Sequence, residues 1–203
     1  MRSKIIIIGA GENGMIARNI LIQCYKEYDF IGFLDDKLSG EGVVGKIIDC
    51  NKYIKNCYFF VSVGNNFKRS EIINFIKTQD GKFLNAIHSK AFIEEGVNLG
   101  VNIMVGANSY ININTSIEDG VFVNNGCIVE HDSQLGFCTH LAPGVIGGGG
   151  VQYGNRSFIG LGAVINDHII IGEDSVVGSG SVVICDVLKN LTVVGVPAKP
   201  IIN

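Results

Sequence analysis

The sequence predicts an α/β domain with Rossmann-like winding, followed by a parallel β-helix built from hexapeptide repeats. Two observations carry this prediction: strand and helix patterns alternate over residues 1–85, and an aliphatic residue recurs at every sixth position in most of the remaining chain. A six-residue period fits neither the 3.6-residue turn of a helix nor the two-residue alternation of a strand. It is typical of coils in which three short strands close a prism, with the aliphatic side chains stacked inward.

The repeat runs from Ile93 to Val183 and is interrupted at Gly147 and Tyr153. A small or β-branched residue commonly stands four positions after the aliphatic, where it would fill a corner of the coil. We therefore assign residues 86–203 to the β-helix domain, together with a proline-stiffened C-terminal tail. The inward positions are Ile93, Leu99, Val105, Ile111, Ile117, Val123, Val129, Leu135, Leu141, Ile159, Ile165, Ile171, Val177 and Val183.

Residues 1–85 have a different pattern. Apolar runs of strand length alternate with segments of helical spacing, which indicates a small parallel sheet with helical crossovers. The predicted order is a strand at Ile5–Ile8, a helix at Met15–Tyr28, a strand at Phe30–Leu34, a strand at Tyr58–Val63 and a helix at Arg69–Lys77.

Composition and charge exclude several classes of protein. The 203-residue chain is 47% hydrophobic and 17% charged, which is typical of a folded protein and not of a disordered one. Its formal net charge of −3 offers no basic surface, so we expect no nucleic-acid partner. No stretch approaches the length of a membrane span, and the apolar run Ile5–Ile8 is too short for a signal peptide. The six cysteines show no zinc spacing, so we expect a cytoplasmic protein with reduced thiols, no metal and no membrane partner.

A glycine-rich motif, Gly9-x-Gly11-x-x-Gly14, lies between the first predicted strand and the first predicted helix. In this context glycines let backbone N–H groups approach a phosphate at the positive end of the helix. Asp35 or Asp36 lies about 20 residues further on, where dinucleotide-binding folds place an acidic residue against the ribose. Three interpretations stay open: a nucleotide-linked ligand, which we favour, a redox dinucleotide, and a purely structural tight turn.

Two of the four histidines are candidates for catalysis. His131 lies two residues past an inward aliphatic, so its ring should emerge from the coil, and Asp132 follows it directly. A neighbouring carboxylate can fix the tautomer of a histidine and increase its basicity, so His131 is a candidate general base. The alternative, which is ordinarily the commoner one, is a solvated surface histidine. His140 lies nine residues further along the chain. A zinc site would need three converging ligands, and His88 and His168 are expected in remote repeats.

The run Gly147–Gly150 replaces the aliphatic residue expected at position 147. A bare backbone would let a ligand lie against the wall of the coil, and its N–H groups could hold an oxyanion. The alternative is a flexible loop.

Together these features resemble the bacterial nucleotide-sugar acetyltransferases of the hexapeptide-repeat, left-handed β-helix superfamily. The resemblance is strongest to N-acetyltransferases of UDP-linked 4-amino-4,6-dideoxy sugars, and GDP-perosamine N-acetyltransferases and sialic-acid O-acetyltransferases share the architecture. It covers essentially the whole chain. The motifs that carry it are Gly9–Gly14, Phe33–Asp36, Val63–Asn66, Ile128–Asp132, Thr139–Gly144 and Val194–Lys199.

The resemblance implies a left-handed helix, a homotrimer, acetyl-CoA as co-substrate, His131 as general base and Asp132 as the residue that increases its basicity. It also implies two groups of binding residues. Those for acetyl-CoA are His140, Gly149, Leu161 and Ser179; those for the nucleotide sugar are Gly11, Glu12, Asn13, Asp35, Asp36 and Gly64, with Asn124 near its reactive end.

The resulting hypothesis is direct acetyl transfer to the 4-amino group of a nucleotide-linked sugar, with UDP as the expected carrier, in the synthesis of bacterial surface glycans or glycoproteins. His131 would accept the proton of the amine as it attacks the thioester. The rival hypotheses are O-acetylation of a sugar such as a sialic acid, N-acetylation of GDP-perosamine, a zinc hydrolase or lyase on the same solenoid, and a non-catalytic scaffold that binds nucleotide sugars.

Overall fold

The structure is a computed structural model that describes residues 2–201. This part of the chain divides into two compact units, the first ending at Ser89 and the second beginning at Lys90. Residue 1, the first of the predicted N-terminal domain, and residues 202 and 203, the last of the predicted β-helix domain, lie outside the described residues. No helix within residues 2–201 is long and apolar enough to cross a membrane.

The first unit confirms the predicted α/β domain. Its sheet has five parallel strands, and the helices follow the first and fourth of them. Its elements are β1 (Ser3–Ile8), α1 (Glu12–Cys24), β2 (Tyr28–Leu34), β3 (Val43–Gly45), a 3₁₀ helix (Ile47–Lys52), β4 (Cys57–Val61), α2 (Asn66–Thr78), β5 (Lys82–Phe83) and β6 (Ala86–Ile87).

The strand order β3-β2-β1-β4-β5 reverses its direction at β1. In open α/β sheets, ligands bind at the carboxyl edge beside such a reversal, because the loops there diverge and leave a crevice. The glycine-rich motif lies at this edge, directly after β1. The predicted first helix actually begins at Glu12, inside the motif, and Gly14 is already buried in it. A Cβ atom on Gly14 would overlap the carbonyl oxygen of Gly9, so this close approach of helix and loop requires glycine.

The second unit is a parallel β-helix, as predicted. From Phe92 to Val183 its short strands recur with the hexapeptide period, and equivalent strands of successive coils, three strands apart along the chain, pair with each other. The strands are β7 (Phe92–Ile93), β8 (Asn98–Leu99), β9 (Met104–Val105), β10 (Tyr110–Ile111), β11 (Ser116–Ile117), β12 (Phe122–Val123), β13 (Ile128–Val129), β14 (Gln134–Leu135), β15 (His140–Leu141), β16 (Ile146–Gly147), β17 (Gln152–Tyr153), β18 (Phe158–Ile159), β19 (Val164–Ile165), β20 (Ile170–Ile171), β21 (Val176–Val177), β22 (Val182–Val183), β23 (Thr192–Val194) and β24 (Lys199–Pro200).

These strands form three faces. The first face contains β7, β10, β13, β16, β19 and β22; the second contains β8, β11, β14, β17 and β20; the third runs from β9 through β12, β15, β18 and β21 to β23 and β24. From Val105 to Val183 the inward aliphatic side chains are at most 2% exposed, so they form the continuous core that the period predicted.

The corners between faces place the remaining side chains. We call the turn from the first to the second face the first corner (residues 112–115, 130–133, 148–151 and 166–169), and the turn from the third to the first face the third corner (residues 106–109, 124–127, 142–145, 160–163 and 178–181). Most corners contain one residue in the left-handed conformation, usually Gly, Asn or Asp, which tolerate it best. Residues at equivalent positions of successive coils stack directly above one another on a corner.

Gly147 and Tyr153, the two residues that interrupt the aliphatic repeat, compensate each other in volume. A side chain on Gly147 would overlap the hydroxyl group of Tyr153, and the Tyr153 ring is only 2% exposed. The tyrosine therefore fills the space in the core that the missing aliphatic side chain leaves.

Candidate active site

His131 and Asp132 form an exposed pair on the first corner. Nδ1 of His131 lies 2.7 Å from Oδ2 of Asp132, and both side chains are about half exposed, at 52% and 58%. Asn114, one coil earlier, donates from Nδ2 to Oδ1 of the same carboxylate over 3.1 Å. The hydrogen bonds from His131 and then Asn114 lower the pKa of Asp132 below its ordinary value. An ionised carboxylate only accepts, so in the neutral imidazole the proton lies on Nδ1 and the lone pair of Nε2 is left for a substrate.

Gly149 and Gly150, on the same corner one coil after His131, each lie against the ring of a histidine. A Cβ atom on Gly149 would lie 2.7 Å from Cε1 and 2.8 Å from Nε2 of His131. A Cβ atom on Gly150 would lie 2.5 Å from Nδ1 of His168. The bare backbone at these positions thus makes room for one imidazole on each. His168 also lowers the pKa of Asp132 through its charge, as the smallest of the contributing interactions.

The glycine run is an ordered part of the corner. The N–H of Gly148 donates to the carbonyl of Ile165 over 2.9 Å, and that of Gly150 donates to the carbonyl of His131 over 2.8 Å. The N–H of Gly149 donates no hydrogen bond to any residue in the described range 2–201. Of the three corner glycines, Gly149 is therefore the one with a donor available to an oxyanion beside His131.

His140 has a different environment. It lies on the third face, is 7% exposed and packs between two aromatic rings. Its ring centroid lies 5.5 Å from that of Phe122 and 5.1 Å from that of Phe158, both nearly perpendicular to it. Edge-to-face contacts of this kind stabilise the packing of the face.

The other residues assigned to acetyl-CoA lie on the third corner. Leu161 and Ser179 occupy equivalent positions of successive coils there, and Leu161 is 55% exposed. Asn124, assigned to the reactive end of the sugar, lies on the same corner but is only 8% exposed. Its Oδ1 accepts the N–H of Asn125 over 2.8 Å, so it caps its own turn.

The predicted site is therefore divided within one chain. The first corner brings together His131, Asp132 and Gly149. Leu161 and Ser179 lie at the opposite edge of the first face. The first face between them exposes a column of apolar side chains, one from each coil. Its members are Phe92, Tyr110, Ile128, Ile146, Val164 and Val182, of which Phe92 is 58% and Ile146 41% exposed.

In the first unit, Asp35 holds the loops of the carboxyl edge together. Its Oδ2 accepts the N–H of Ala10 over 2.8 Å, and its Oδ1 accepts those of Lys37 and Leu38, also over 2.8 Å. Burial opposes the ionisation of Asp35, but the three N–H groups outweigh it and hold the pKa of this carboxyl below its ordinary value. Both oxygens are thus engaged by the backbone, and Asp35 fixes the shape of the glycine-rich loop.

The other predicted residues for the nucleotide sugar lie around this loop. Gly11 is the residue before α1 and leaves the helix without a side-chain cap, while Glu12 lies exposed in its first turn. Nδ2 of Asn13 lies 3.0 Å from the position that a Cβ atom on Gly64 would occupy, so the loops after β1 and β4 approach each other there. The uncapped N–H groups of α1 can bind a phosphate.

Three residues at these sites were missed by the sequence analysis. His168 was expected in a remote repeat, but it lies on the same corner as Asp132, two coils further along. Asn114 lies one coil before Asp132 on this corner. The equal spacing of positions 114, 132, 150 and 168 could have shown this. Arg69 is fully buried in α2, and its guanidinium donates to the carbonyl of Val63 over 2.9 Å. Nothing in the sequence distinguished this arginine from a surface residue of the helix.

Residues 2–201 contain no group of three or more His, Cys, Asp or Glu side chains that could hold a metal ion. The six cysteines, all within this range, are free thiols.

Comparison with known proteins identifies the family. Residues 4–76 match the family model of the PglD N-terminal domain. The chain is 29% identical to a GDP-perosamine N-acetyltransferase of Escherichia coli O157:H7, over 95% of this chain and 94% of that one.

Two solved structures cover the whole fold. PerB from Caulobacter crescentus, in complex with CoA and GDP-perosamine, superposes with a TM-score of 0.92 at 31% identity over 98% of this chain and 97% of that one. The acetyltransferase domain of PglB from Neisseria gonorrhoeae, in complex with acetyl coenzyme A, gives a TM-score of 0.93 at 31% identity over 99% and 100%. With this similarity along its full length, the chain belongs to the nucleotide-sugar acetyltransferases of the hexapeptide-repeat superfamily.

Proposed function

We propose that the protein transfers the acetyl group of acetyl-CoA to the amino group of a nucleotide-linked 4-amino-4,6-dideoxy sugar, with His131 as general base. The single observation that carries the proposal is the His131–Asp132 pair, exposed on the β-helix wall with Nδ1 held by the carboxylate. The relatives named as N-acetyltransferases and the complexes with CoA or acetyl-CoA support the donor and the amino acceptor. The reaction belongs in the cytoplasm, where both substrates are available.

The chemistry follows from the geometry of the corner. The neutral amine attacks the thioester carbonyl, and Nε2 of His131 accepts the proton that the amine loses as the new C–N bond forms. The carbonyl oxygen becomes an oxyanion, and the N–H of Gly149 beside the His131 ring can donate to it. The C–S bond then breaks and CoA leaves as a thiolate, which takes up a proton. Positioning of the two bound substrates supplies much of the rate, so no covalent enzyme intermediate is needed.

The divided site supports a homotrimer. If two copies pack along the apolar column of the first face, the first corner of one copy can approach the third corner of the next. Cyclic symmetry then repeats this contact and closes the assembly. The donor would lie between Gly149 of one copy and Leu161 and Ser179 of the other. Native mass spectrometry tests this point: a mass of three chains is expected, and a monomer would contradict it.

The carrier of the sugar is the part of the sequence-based hypothesis that gains least support. UDP was expected, whereas the E. coli relative and the Caulobacter structure are named for GDP-perosamine. We take GDP as the better candidate.

A thiol-release assay tests the proposed function. Purified protein is mixed with acetyl-CoA and a panel of GDP- and UDP-linked sugars, each amino sugar paired with the sugar that has a hydroxyl at the same carbon. Thiol release with an amino sugar, and an N-acetyl product by mass spectrometry, are expected. Release only with the hydroxy sugars would show O-acetylation, and no release with any acceptor would contradict acetyl transfer to a sugar.

A further inference from the structure

His168 lies exposed on the first corner and takes no part in the steps assigned to His131. Its backbone has the left-handed conformation, with a φ of 57°, and its N–H donates to the carbonyl of Gly149 over 2.8 Å. Its imidazole makes no hydrogen bond or ion pair to any residue in the range 2–201. The ring is therefore available to a ligand at this corner.

The rings of His131 and His168 converge on the coil that lies between them. His131 lies one coil before Gly149 and leans forward over it, whereas His168 lies one coil after Gly150 and leans back onto it. The Cα atoms of these adjacent glycines are about 3.8 Å apart. His168 is also close enough for its charge to act on Asp132. Two imidazoles thus border the part of the corner where side chains are missing and where the N–H of Gly149 is available.

The residues assigned to the donor place its sulfur on the side of His168. Successive coils lie about 4.8 Å apart along the prism. Cyclic symmetry about an axis along the prism keeps facing corners at equal heights, so Leu161 and Ser179 of the next copy continue from Gly149 toward the C-terminal coils. A donor that extends in this direction from Gly149 has its carbonyl group beside His131 and its sulfur toward the coil of His168.

The charges along this path leave few partners for a departing thiolate. The first corner, extended by residues 184–187, contains no Lys or Arg, and neither do the third corner and the exposed column of the first face. Carboxylates on the first corner repel an anion, and only the two histidines can carry a positive charge there. The titratable side chains around His168 on this corner are Glu130, His131, Asp132, Asp167, Cys185 and Asp186.

We propose that His168 donates the proton that the departing sulfur of CoA takes up. The C–S bond breaks, its electron pair stays on the sulfur, and the imidazolium N–H of His168 transfers its proton to that sulfur to form the thiol. His131 has accepted one proton from the amine, so the enzyme gains and loses one proton in each turnover. The two exposed rings then exchange protons with water. The inference rests on the proposed function, because it completes the same reaction.

The thiol of bound CoA tests this contact without acetyl transfer. The ultraviolet absorbance of the thiolate is followed as a function of pH for the full chain with and without CoA, and the difference separates the CoA thiol from the six cysteines. A neighbouring imidazolium lowers the pKa of a thiol, so bound CoA should titrate at least about 1 pH unit below free CoA. A bound thiol that titrates like free CoA would overturn the proposal.

Three variants assign the effect to His168. His168→Asn removes the imidazole and keeps a residue that tolerates the left-handed conformation, so the thiol of bound CoA should titrate at least about 1 pH unit higher than in the unaltered protein. His168→Lys restores a cation and should lower this pKa again. Lys189→Asn removes an exposed cation beyond the second face and is the matched control, which should change nothing. An unchanged thiol pKa in His168→Asn would overturn the proposal.

The pH dependence of turnover tests the proton transfer itself. In the unaltered protein kcat should fall at high pH as the imidazolium is lost, and His168→Asn should lack this fall. At neutral pH the variant should lose about 10-fold in kcat, less than is usual for an acid catalyst because a thiolate leaves readily, with an unchanged KM for the sugar.

These outcomes keep the inference separate from the proposed function. Unaltered kcat and pH dependence in His168→Asn would overturn the role of His168 and leave the acetyltransferase intact. A lowered thiol pKa that depends on His168, together with no thiol release from any amino sugar, would overturn the proposed function and leave the contact between His168 and the CoA sulfur intact.

Discussion

Two histidines of the β-helix, nine residues apart, occupy opposite kinds of environment. His131 lies on the first corner, half exposed, with Nδ1 bonded to Asp132 and its ring against Gly149. His140 lies on the third face, 7% exposed, between Phe122 and Phe158. A histidine acts as a base when one nitrogen has a lone pair that a substrate can reach, and it does so best when a partner on the other nitrogen fixes the tautomer. The first corner meets both conditions.

The difference follows from where each residue falls in the hexapeptide. A corner position projects beyond the coil and can be flanked by corner residues of the neighbouring coils, such as Asn114, Gly149 and Gly150. A strand position lies between the strands of the coils on either side, and here both contribute aromatic rings. The same residue type is therefore exposed to a substrate at one position and packed between aromatic rings at the other.

The largest effect is expected for His131→Ala. Loss of a general base should lower kcat by about 10²–10⁴-fold, while the KM for acetyl-CoA changes little, because no donor-binding group is removed. Steady-state thiol-release kinetics measure both values. Gln152→Ala, an exposed residue of the second face, is the control and should keep the unaltered rate. Turnover within about 3-fold of the unaltered protein in His131→Ala would rule out its role as base.

The next effect is expected for Gly149→Ala. The added Cβ atom would lie 2.7–2.8 Å from the His131 ring, so the ring must move away from its position. A displacement of a catalytic group by about 1 Å can cost about 10²-fold in rate. The melting temperature should stay close to that of the unaltered protein, since the imidazole is exposed and can move into solvent. A variant that turns over normally would show that Gly149 does not set the position of His131.

Asp132→Asn should have a smaller effect, about 10-fold on kcat, because the base remains but its tautomer is no longer fixed. The lowered pKa of Asp132 means that the carboxylate is ionised at neutral pH. The contribution of this carboxylate to stability is complete above the ordinary aspartate pKa, and it is lost as the pH falls through the lowered pKa. The measurement is kcat for both proteins at pH 7; a loss as large as that of His131→Ala would assign Asp132 a direct part in the proton transfer.

The smallest effect on turnover, and the largest on stability, is expected at His140. His140→Ala removes a ring packed between two others and should lower the free energy of unfolding by about 2–4 kcal/mol. His140→Phe keeps the aromatic stack and should recover most of that loss. Chemical denaturation measures both. If His140→Ala unfolds like the unaltered protein but loses turnover as His131→Ala does, the contrast between the two histidines is wrong.

The sequence predicts the fold well because the period of a repeat indicates the geometry of its coils. The hexapeptide period of the aliphatic residues predicted the β-helix core, and the alternation of strand and helix patterns in the N-terminal part of the chain predicted the parallel sheet. Asp132 beside His131 could be recognised because the two are adjacent in sequence. His168 is harder to recognise, because its proximity to Asp132 follows only from the spacing of 18 residues between successive coils.

Other features depend on how residues pack against each other, which the identity of a single residue does not reveal. Gly147 looked like an irregularity, and only the position of Tyr153 shows that the two compensate each other. The resemblance assigns His140 to the acetyl-CoA site, and its packing between two aromatic rings could not be predicted from the sequence.

The most direct test asks whether a complete active site needs two copies of the chain. His131→Ala removes the proposed base from the first corner, and Leu161→Arg places a large charged side chain at an exposed position of the third corner, where we propose that the donor binds. Each variant alone should be nearly inactive. When the two are denatured, mixed in equal amounts and refolded together, about a quarter of the sites in a cyclic assembly should pair one intact first corner with one intact third corner. Recovery of about that fraction of the activity is the predicted result; a mixture as inactive as its components would contradict a site shared between copies.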